Sequence, residues 1–388
     1  LNLARWIDLP NFVNRPDLKF SEFLPGTPHP LRNKADIFAA IREQDILLHH
    51  PYQSFMPVVE FIRAAAHDPN VLAIRQTIYR TGHDSALLEA LCEAAKLGKT
   101  AIAVVELFAR YDEETNVHWA ERLERAGVNV VYGTLGMKTH AKMAMVIRRE
   151  QNQLRRYVHL GTGNYHSRTA RVYTDFGLFT CDEQICADVN EIFNHLTGLG
   201  KAGELQKLYQ SPLTLHKMVM EKIVFETTQA SVGKPALIIA KMNALLEPKI
   251  IRALYSASQA GVKIHLIIRG MCALKPGVRG LSENITVRSV VGQFLEHHRV
   301  FYFFNQGKED IYLSSADWMD RNFFNRIEIA FPILDQRIKK RIVEEGLKPY
   351  LKDNLHGWLM QGDGAYKRLH PRSRRYSSQE SLLNRMKA

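Results

Sequence analysis

Two short segments of the sequence place a histidine two residues before a cation. ThrHisAlaLysMet contains His140 and Lys142, and GluHisHisArgVal contains His297 and Arg299. Both segments lie in apolar runs typical of β-strands, so the histidine and the cation of each pair are predicted to point the same way. A neutral imidazole can attack phosphorus, and a neighbouring cation can hold phosphate oxygens. The two pairs therefore predict phosphoryl-transfer chemistry.

A single His-x-Lys pair is weak evidence, because a histidine on a half-buried strand is more often structural than catalytic. The occurrence of two such pairs, with matching residues after each, favours a functional site. His298 is adjacent to His297 and is predicted to point to the opposite face of the strand, so we give it no role.

The two pairs belong to a longer internal repeat. AlaLeuCysGluAlaAlaLysLeuGly matches AlaLeuTyrSerAlaSerGlnAlaGly, and HisLeuGlyThrGlyAsnTyr matches TyrLeuSerSerAlaAspTrp. These segments are 90–98 with 253–261, and 159–165 with 312–318. When the two halves are aligned as in the second match, Asp175 is equivalent to Glu328. Matches in one order along both halves indicate a duplicated unit.

Asp175 and Glu328 are candidates to accept a hydrogen bond from a histidine ring and fix its tautomer. The alternative is a surface salt bridge. Their apolar neighbours argue against it, because a buried charge is kept mainly where a partner compensates it. The sequence leaves open which acid pairs with which histidine.

Strands and helices alternate in each half, which predicts α/β units with a mixed, mostly parallel sheet flanked by helices. In the first half we expect a strand at 71–80, a helix at 85–97 and a strand at 100–108. The corresponding elements of the second half are 235–240, 247–260 and 262–268. Gly98 and Gly261 are predicted to end the two helices.

Three arginines end strands or follow them: Arg80, Arg110 and Arg269. Ligands of open α/β sheets bind beyond the carboxyl ends of the strands, so these arginines could form a phosphate-binding rim. One such arginine alone would more often be a solvated charge. Tyr173 is either a core tyrosine or a side chain that stacks on a base or donates to a phosphate.

The composition indicates a globular protein with an anionic partner. The chain has 388 residues, a formal net charge of +12 and 46% hydrophobic residues. No apolar run is long enough to span a bilayer, and the first residues lack a signal-peptide pattern, so we expect a cytoplasmic protein. Four cysteines without a CxxC pair predict reduced thiols. A P-loop pattern is missing, so any use of ATP lies outside that scheme.

We predict four regions. Residues 1–26 are the end of an upstream helical domain or a linker, which also suits a sequence that opens without Met. Residues 27–207 and 208–365 are the first and second catalytic domains. Residues 366–388 are a basic, flexible tail.

The histidine strands and the GlyThrGlyAsnTyr and SerSerAlaAsp turns resemble the phospholipase D superfamily. LysThrHisAlaLys, HisHisProTyrGlnSerPhe, IleArgGlnThrIleTyrArg and LeuGluHisHisArgVal are similar to polyphosphate kinases of the histidine-phosphorylating type. The resemblance implies two tandem phospholipase D-like domains related by a pseudo-two-fold duplication. It also implies reversible transfer of the γ-phosphoryl group of ATP to inorganic polyphosphate through a phosphohistidine.

The resemblance assigns roles to individual residues. It implies that His140 is the phosphorylated nucleophile and that His297 is a second essential histidine at the nucleotide site. Tyr173 and Arg269 match other positions that contact ATP or ADP. Arg80 and Arg110 match positions of the magnesium site; because guanidinium has no acceptor, they are expected to grip phosphates that ligate Mg²⁺ rather than the ion itself.

Two alternatives to a kinase remain open at this point: a phosphodiesterase of the same fold, and a non-catalytic module that binds polyanions. Phosphodiesterases pass the phosphoryl group to water, whereas a kinase must exclude water. Nucleic acid is not a required partner. The resemblance implies a homo-oligomer for the full-length protein, and the sequence leaves peripheral association with a membrane open.

Overall fold

The computed structural model describes residues 6, 9–32, 36–79, 85–106, 113–133, 137–200, 203–371 and 374–386. The strands in these ranges are β1 Ile46–His50, β2 Val71–Ile78, β3 Thr100–Val105, β4 Asn129–Tyr132, β5 Lys138–Thr139, β6 Lys142–Glu150, β7 Gln153–Gly161, β8 Tyr173–Thr180, β9 Tyr209–Gln210, β10 Leu237–Met242, β11 Lys263–Ile268, β12 Ile285–Val290, β13 Leu295–Glu296, β14 Arg299–Phe303, β15 Asp310–Ser314, β16 Arg326–Ile327, β17 Ile329–Pro332, β18 Gly357–Met360 and β19 Tyr366–Arg368.

The helices are α1 Leu9–Phe12, α2 Ile37–Glu43, α3 Met56–His67, α4 Ala86–Lys96, α5 Glu113–Arg125, α6 Glu183–Leu196, α7 Leu215–Ser231, α8 Pro248–Gln259, α9 Asp320–Phe324, α10 Gln336–Ile342, α11 Lys348–Lys352 and α12 Ser378–Met386. A π-helical turn at Val343–Leu347 joins α10 to α11. In the described part of the chain, no helix has both the length and the apolar character needed to cross a membrane.

Each half of the chain builds one sheet, and the two sheets have the same strand order. The first sheet runs β1-β8-β7-β6-β2-β3-β4. The second contains the equivalent order β9-β17-β15-β14-β10-β11-β12, with β18 and β19 added beside β12. The predicted duplication and the α/β fold class of two tandem phospholipase D-like domains are confirmed.

The helices α4 and α8 occupy equivalent places and begin and end by equivalent means. The Ser85 side chain caps α4 by accepting from Leu88 N–H, and the Glu247 side chain caps α8 by accepting from Ile250 N–H. Gly98 and Gly261 follow the two helices with φ of +80° and +101°, a conformation that favours glycine. These boundaries agree with those predicted from the sequence.

The expectation of a mostly parallel sheet is wrong. In the first sheet β2 pairs in parallel with β3, and β3 with β4, whereas β6 is antiparallel to both β2 and β7, and β8 to β7 and β1. For β6 and β7 the reason is the tight turn at Gln151 and Asn152, because a two-residue connection joins only antiparallel strands.

A shared apolar core lies between the two halves. Met143 and Leu160 of the first sheet belong to the same buried cluster as Val300 and Leu313 of the second sheet. A separate cluster packs α3 and α4 against the first sheet, and another packs α7 and α8 against the second. The equivalent central strands β6 and β7 of the first sheet and β14 and β15 of the second therefore all contribute to this layer.

The expected flexible tail over 366–388 is also corrected. Strand β19 pairs with β18, and α12 packs on the second half, with Leu382 1% exposed. The Asp353 carboxylate accepts from the backbone N–H of Ser378 at 2.7 Å and from its hydroxyl at 2.8 Å, at the start of α12. The apolar Leu382 and this capping contact outweigh the basic composition on which the expectation was based. The boundaries at 26, 207 and 365 stay predictions.

Several histidines are buried in this fold, which makes stability depend on pH. Burial lowers the pKa of His159 to about 3, and its Nδ1 lies 3.0 Å from the Tyr165 hydroxyl. An unfolded histidine binds a proton near pH 6.5, so the unfolded state binds more protons than the folded state between about pH 6.5 and 3. The free energy of unfolding therefore falls as the pH drops through this window.

We predict that His159→Gln removes part of this pH dependence. Between pH 7 and pH 5 the wild-type protein should lose about 2 kcal/mol of unfolding free energy more than the variant does. Urea unfolding at a series of pH values measures the difference. The matched control is His118→Gln, at an exposed position of α5. Equal pH slopes for wild type and His159→Gln would contradict the prediction.

Candidate active site

The strand that leads to each histidine pairs with the opposite half of the molecule. In the first half β5 pairs in parallel with β16, and the backbone N–H groups of His140 and Ala141 both donate to the carbonyl of Ile327 at 2.9 Å. In the second half β13 pairs in parallel with β8, and the backbone N–H of His297 donates to Thr174 Oγ1 at 3.1 Å. Both strands are interrupted at the histidine: β5 ends at Thr139 before β6 begins at Lys142, and β13 ends at Glu296 before β14 begins at Arg299.

The carboxylates are exchanged between the halves. His140 Nδ1 lies 2.8 Å from Glu328 Oε2, and Glu328 is fully buried. Ser315 Oγ and Asn322 Nδ2 each donate to the same carboxylate at 2.5 Å. With Nδ1 engaged by Glu328, the ring nitrogen Nε2 of His140 is the one available for attack.

The second histidine repeats this arrangement. His297 Nδ1 lies 2.9 Å from both carboxylate oxygens of Asp175, and Thr162 Oγ1 donates to Asp175 at 2.6 Å. The question that the sequence left open is thereby answered: each histidine pairs with the acid of the other half. Thr162 and Ser315 are equivalent positions of the matched turns.

The two cations are held differently. Lys142 is 1% exposed, and its ammonium donates to the carbonyl of His140. Arg299 Nε and Nη2 both donate to Asp317 at 3.1 Å, while Nη1 lies 3.1 Å from His297 Nε2. Asp317 therefore occupies two donors of the Arg299 guanidinium, and Nη1 is the donor directed at the second histidine.

Two further predicted residues lie beside His297. The Tyr173 ring centroid is 5.2 Å from the imidazole centroid. Arg269 Nε donates to Asn243 Oδ1 at 2.8 Å, and the backbone N–H of Asn243 donates to Asp317 at 2.8 Å. Tyr173 and Arg269 thus border the second histidine on different elements, β8 and the end of β11.

Burial and positive charge control the ionisation of the two histidines. Burial lowers the pKa of His140 well below its usual value, and the charges of Lys142, Arg326 and Arg299 lower it further. Burial also lowers the pKa of His297, although Asp175 acts in the opposite direction. Both rings are therefore neutral at physiological pH, which is the form that a histidine needs to act as a nucleophile.

The pKa values of the two acids that pair with these histidines shift in opposite directions. Burial raises the pKa of Glu328, against the charge of Lys142 and the hydrogen bond from Ser315. Burial also opposes ionisation of Asp175, but the charge and hydrogen bond of His297 outweigh it and lower the pKa of Asp175. Asp317 is likewise buried, and Arg299 lowers its pKa to about 2.

Arg80 and Arg110, predicted at a magnesium site through bound phosphates, lie outside the described residues. Within the described part of the chain, no group of three or more His, Cys, Asp or Glu side chains is arranged to hold a metal ion. The carboxylates of Glu328, Asp175 and Asp317 all accept hydrogen bonds from protein donors. The described residues therefore do not fit a site in which protein carboxylates ligate Mg²⁺ directly.

Sequence reasoning missed a buried network behind His297. Glu296 is its centre: Oε2 accepts from Lys241 Nζ at 2.6 Å and from Thr174 Oγ1 at 2.9 Å, and Oε1 accepts from Gln379 Nε2 at 2.5 Å. Gln379 also donates to the carbonyl of Phe294 at 2.9 Å and accepts from its N–H at 3.0 Å. Helix α12 thereby holds the strand that carries His297.

Two other residues that we did not single out could have been found from the sequence. Asp317 and Ser315 stand in the SerSerAlaAsp turn that the repeat identified, so the duplication itself marked them. Lys241 and Gln379 carried no such signal, because they lie 55 and 83 residues from Glu296 and meet it only in the folded chain.

Comparison with known sequences identifies two adjoining matches. The family description "Polyphosphate kinase C-terminal domain 1" matches residues 36–202, and "Polyphosphate kinase C-terminal domain 2" matches residues 208–379. The polyphosphate kinase of Paraburkholderia phytofirmans is 57% identical over 99% of this chain and 57% of its own length. That of Neisseria meningitidis serogroup B is 61% identical over 96% of this chain and 54% of its own length.

Solved structures give the same result. The crystal structure of polyphosphate kinase from Porphyromonas gingivalis superposes with a TM-score of 0.90 and 33% identity, over 97% of this chain and 58% of that one. Phosphatidylserine synthase of Haemophilus influenzae shares the fold, with a TM-score of 0.54 and 10% identity. This chain spans little more than half the length of the polyphosphate kinases it matches.

We predict that Gln379→Ala lowers the free energy of unfolding by about 1–3 kcal/mol, because it leaves buried polar groups of Phe294 and Glu296 without a partner. Gln259→Ala is the matched control. Gln259 is exposed on α8 and donates to the carbonyl of Gly280, so its loss should change stability by no more than about 0.5 kcal/mol. Chemical denaturation measures both, and equal effects would show that Gln379 does not anchor the strand.

Proposed function

The chain belongs to the polyphosphate kinase family, and we propose that it carries the site that moves the γ-phosphoryl group of ATP to inorganic polyphosphate, reversibly, through a phosphohistidine at His140. The observation that carries this proposal is the His140–Glu328 pair at 2.8 Å. A buried, neutral imidazole with Nδ1 held by a carboxylate presents Nε2 as a nucleophile. The nearby cations suit a phosphate that carries several negative charges.

The transfer has two steps. Nε2 of His140 attacks the γ-phosphorus, an N–P bond forms, and the bond from phosphorus to the bridging oxygen breaks, so that ADP leaves with the electron pair. The phosphorylated ring keeps its proton on Nδ1, where Glu328 stabilises the positive charge. A terminal oxygen of polyphosphate then attacks the same phosphorus, and the N–P bond breaks. The neutral ring is regenerated.

The residues around His297 support a role on the leaving side. The neutral ring of His297 can withdraw a proton from the incoming phosphate and, once charged, donate it to a departing oxygen, because Asp175 fixes the ring and stabilises its charged form. Arg299 Nη1 and Arg269 would neutralise charge on the transferred group and on the nucleotide phosphates, and Tyr173 would contact the nucleotide. In this proposal Arg80 and Arg110 grip phosphates, and Mg²⁺ is ligated by phosphate oxygens.

Burial of the nucleophile favours a kinase over a hydrolase. His140 is 8% exposed, and Lys142 beside it is 1% exposed. A phosphohistidine formed in this environment meets few water molecules, so transfer to a docked phosphate competes well with hydrolysis.

The experiment that tests this function follows label from γ-labelled ATP in the full-length protein. We expect acid-labile label on the wild-type protein and labelled long-chain polyphosphate, because N–P bonds hydrolyse in acid. His140→Ala should show neither, whereas His118→Ala, an exposed control on α5, should match wild type. Acid-labile label on His140→Ala at the wild-type level would refute the assignment. Cleavage of a phosphodiester without polyphosphate synthesis would favour the phosphodiesterase, and binding of polyphosphate alone the non-catalytic module.

A second prediction tests the exchange of acids between halves. Glu328→Gln keeps the shape of the side chain, but its amide can donate to Nδ1 and so favours the tautomer whose proton sits on Nε2. We expect the rate of His140 phosphorylation in a single turnover to fall on the order of a thousandfold or more. Ser315→Ala removes one hydrogen bond to the same carboxylate and should cost about tenfold or less.

In this proposal each acid controls only the histidine of the other half. Asp175, in the same half as His140, should not control its tautomer. Asp175→Asn is therefore expected to retain more of the single-turnover phosphorylation of His140 than Glu328→Gln does. Glu328→Gln with a phosphorylation rate equal to or above that of Asp175→Asn would contradict the crossed assignment.

A further inference from the structure

A second positively charged site lies at the opposite end of strand β6 from Lys142. A cavity of about 650 Å³ opens there, around the turn that joins β6 to β7. Glu150 and Gln153, the residues on either side of this turn, both line it. Eight residues of extended strand at roughly 3.3 Å each separate Lys142 from Glu150, about 26 Å in all. The cavity is therefore distinct from the histidine site.

The lining is strongly basic. Five arginines and two glutamates face this cavity, an excess of three positive charges. They are Arg42, Arg148, Arg149, Arg155 and Arg156, with Glu150 and Glu183. Glu150 is already engaged, because its carboxylate accepts from the guanidinium groups of three of these arginines and from the hydroxyl of Tyr157. It has little capacity left to neutralise the others.

Arg149 and Arg156 have no carboxylate partner among the described residues. Arg149 is exposed, and the Nε–H of Arg156 is buried without a hydrogen-bond partner. The Nε–H of the neighbouring Arg75 is also buried without a hydrogen-bond partner. Burial and the charge of Arg156 lower the pKa of Arg75. A buried donor without a partner costs about 1–3 kcal/mol. An anion in the cavity that accepts from Arg156 would remove that cost for Arg156 and would also reduce the repulsion between Arg156 and Arg75.

The chemistry of the lining indicates which anion fits. Phosphate oxygens match the guanidinium groups of arginine in geometry and charge. Single-stranded nucleic acid is bound mainly by basic grooves that also offer aromatic rings for stacking. No aromatic side chain is among the described residues that line this cavity. The surface therefore suits a polyanion that consists of phosphates without bases.

We propose that this cavity, which we call the hairpin groove, is a second binding site for inorganic polyphosphate. This inference rests on the proposed function, because the polymer it binds is the acceptor and product of the histidine site. The hairpin groove holds a long chain at a distance from its reacting end, so that the chain stays bound between successive additions. A short acceptor such as tripolyphosphate cannot reach both sites.

The test compares double variants of the full-length protein. Arg149→Gln/Arg156→Gln removes the two unpaired charges, and Arg149→Lys/Arg156→Lys retains them. Lys249→Gln/Arg252→Gln is the matched control, since both residues are exposed on α8 and the change in net charge is the same. Arg149→Gln alone covers the case in which loss of the partly buried Arg156 disturbs folding.

Affinity for long-chain polyphosphate is the first measurement. We expect the glutamine double variant to bind on the order of tenfold more weakly than wild type. The slope of log affinity against log salt should fall by on the order of one for each arginine removed. The control should bind like wild type, and the lysine variant should lie closer to wild type than the glutamine variant does. Arg149→Gln alone should give a smaller loss in the same direction.

Turnover is the second measurement. The KM for long-chain polyphosphate in ATP synthesis should rise on the order of tenfold in the glutamine variant, and the polymer made in the forward direction should be shorter. The KM for ADP and the turnover of tripolyphosphate should not change. Equal affinity for long chains in the glutamine and control variants would overturn the proposal, as would an equal loss with tripolyphosphate.

Two outcomes separate this inference from the function on which it rests. If the wild-type protein makes no polyphosphate but binds long chains through Arg149 and Arg156, the hairpin groove is supported and the proposed function fails. If a single-stranded RNA of equal charge binds more tightly than polyphosphate, and through the same arginines, the assignment of the ligand is wrong. In both cases the outcome for the hairpin groove is decided by binding measurements, which do not require catalysis.

Discussion

The two histidines of the candidate site, His140 and His297, each pair with a carboxylate that the other half supplies. The strands β5 and β13 pair across the boundary between halves, and this pairing sets His140 against Glu328 and His297 against Asp175. Neither half alone supplies both members of either pair. The shared apolar layer that contains Met143 and Val300 is therefore a condition for the chemistry as well as for stability, because a shift between the sheets would separate both pairs at once.

The same constraint explains why so much charge is buried here. Lys142, Arg299, Glu328 and Asp175 are all at most 5% exposed, and desolvation would be costly for any one of them alone. They are retained together because opposite charges and protein donors compensate each other across the boundary. Burial and the charges of Lys142, Arg326 and Arg299 together lower the pKa of His140 and keep its imidazole neutral.

Much of this arrangement could be predicted from the sequence, since the repeat showed the histidines, the acids and the tandem domains. The pairing of acids could not, because it depends on strand contacts between residues 188 and 122 positions apart. The sequence analysis predicted too many parallel strand pairs. An alternation of strands and helices does not reveal a hairpin such as β6–β7. The tail was predicted flexible from its charge, although Gln379 and Leu382 are buried against the second half. Side chains that act only through tertiary contacts leave no local pattern.

One difference between the matched turns supports the unequal roles that we propose for the two histidines. Asp317 stands where the first half has Asn164. In the second half this carboxylate holds Arg299 through two hydrogen bonds, so the cation there is neutralised and fixed. Asn164 has no charge to offer, and the side chain of Lys142 donates to the carbonyl of His140 instead. The cation beside His140 is therefore held without a carboxylate at this turn, which suits our proposal that His140 attacks phosphate and His297 assists.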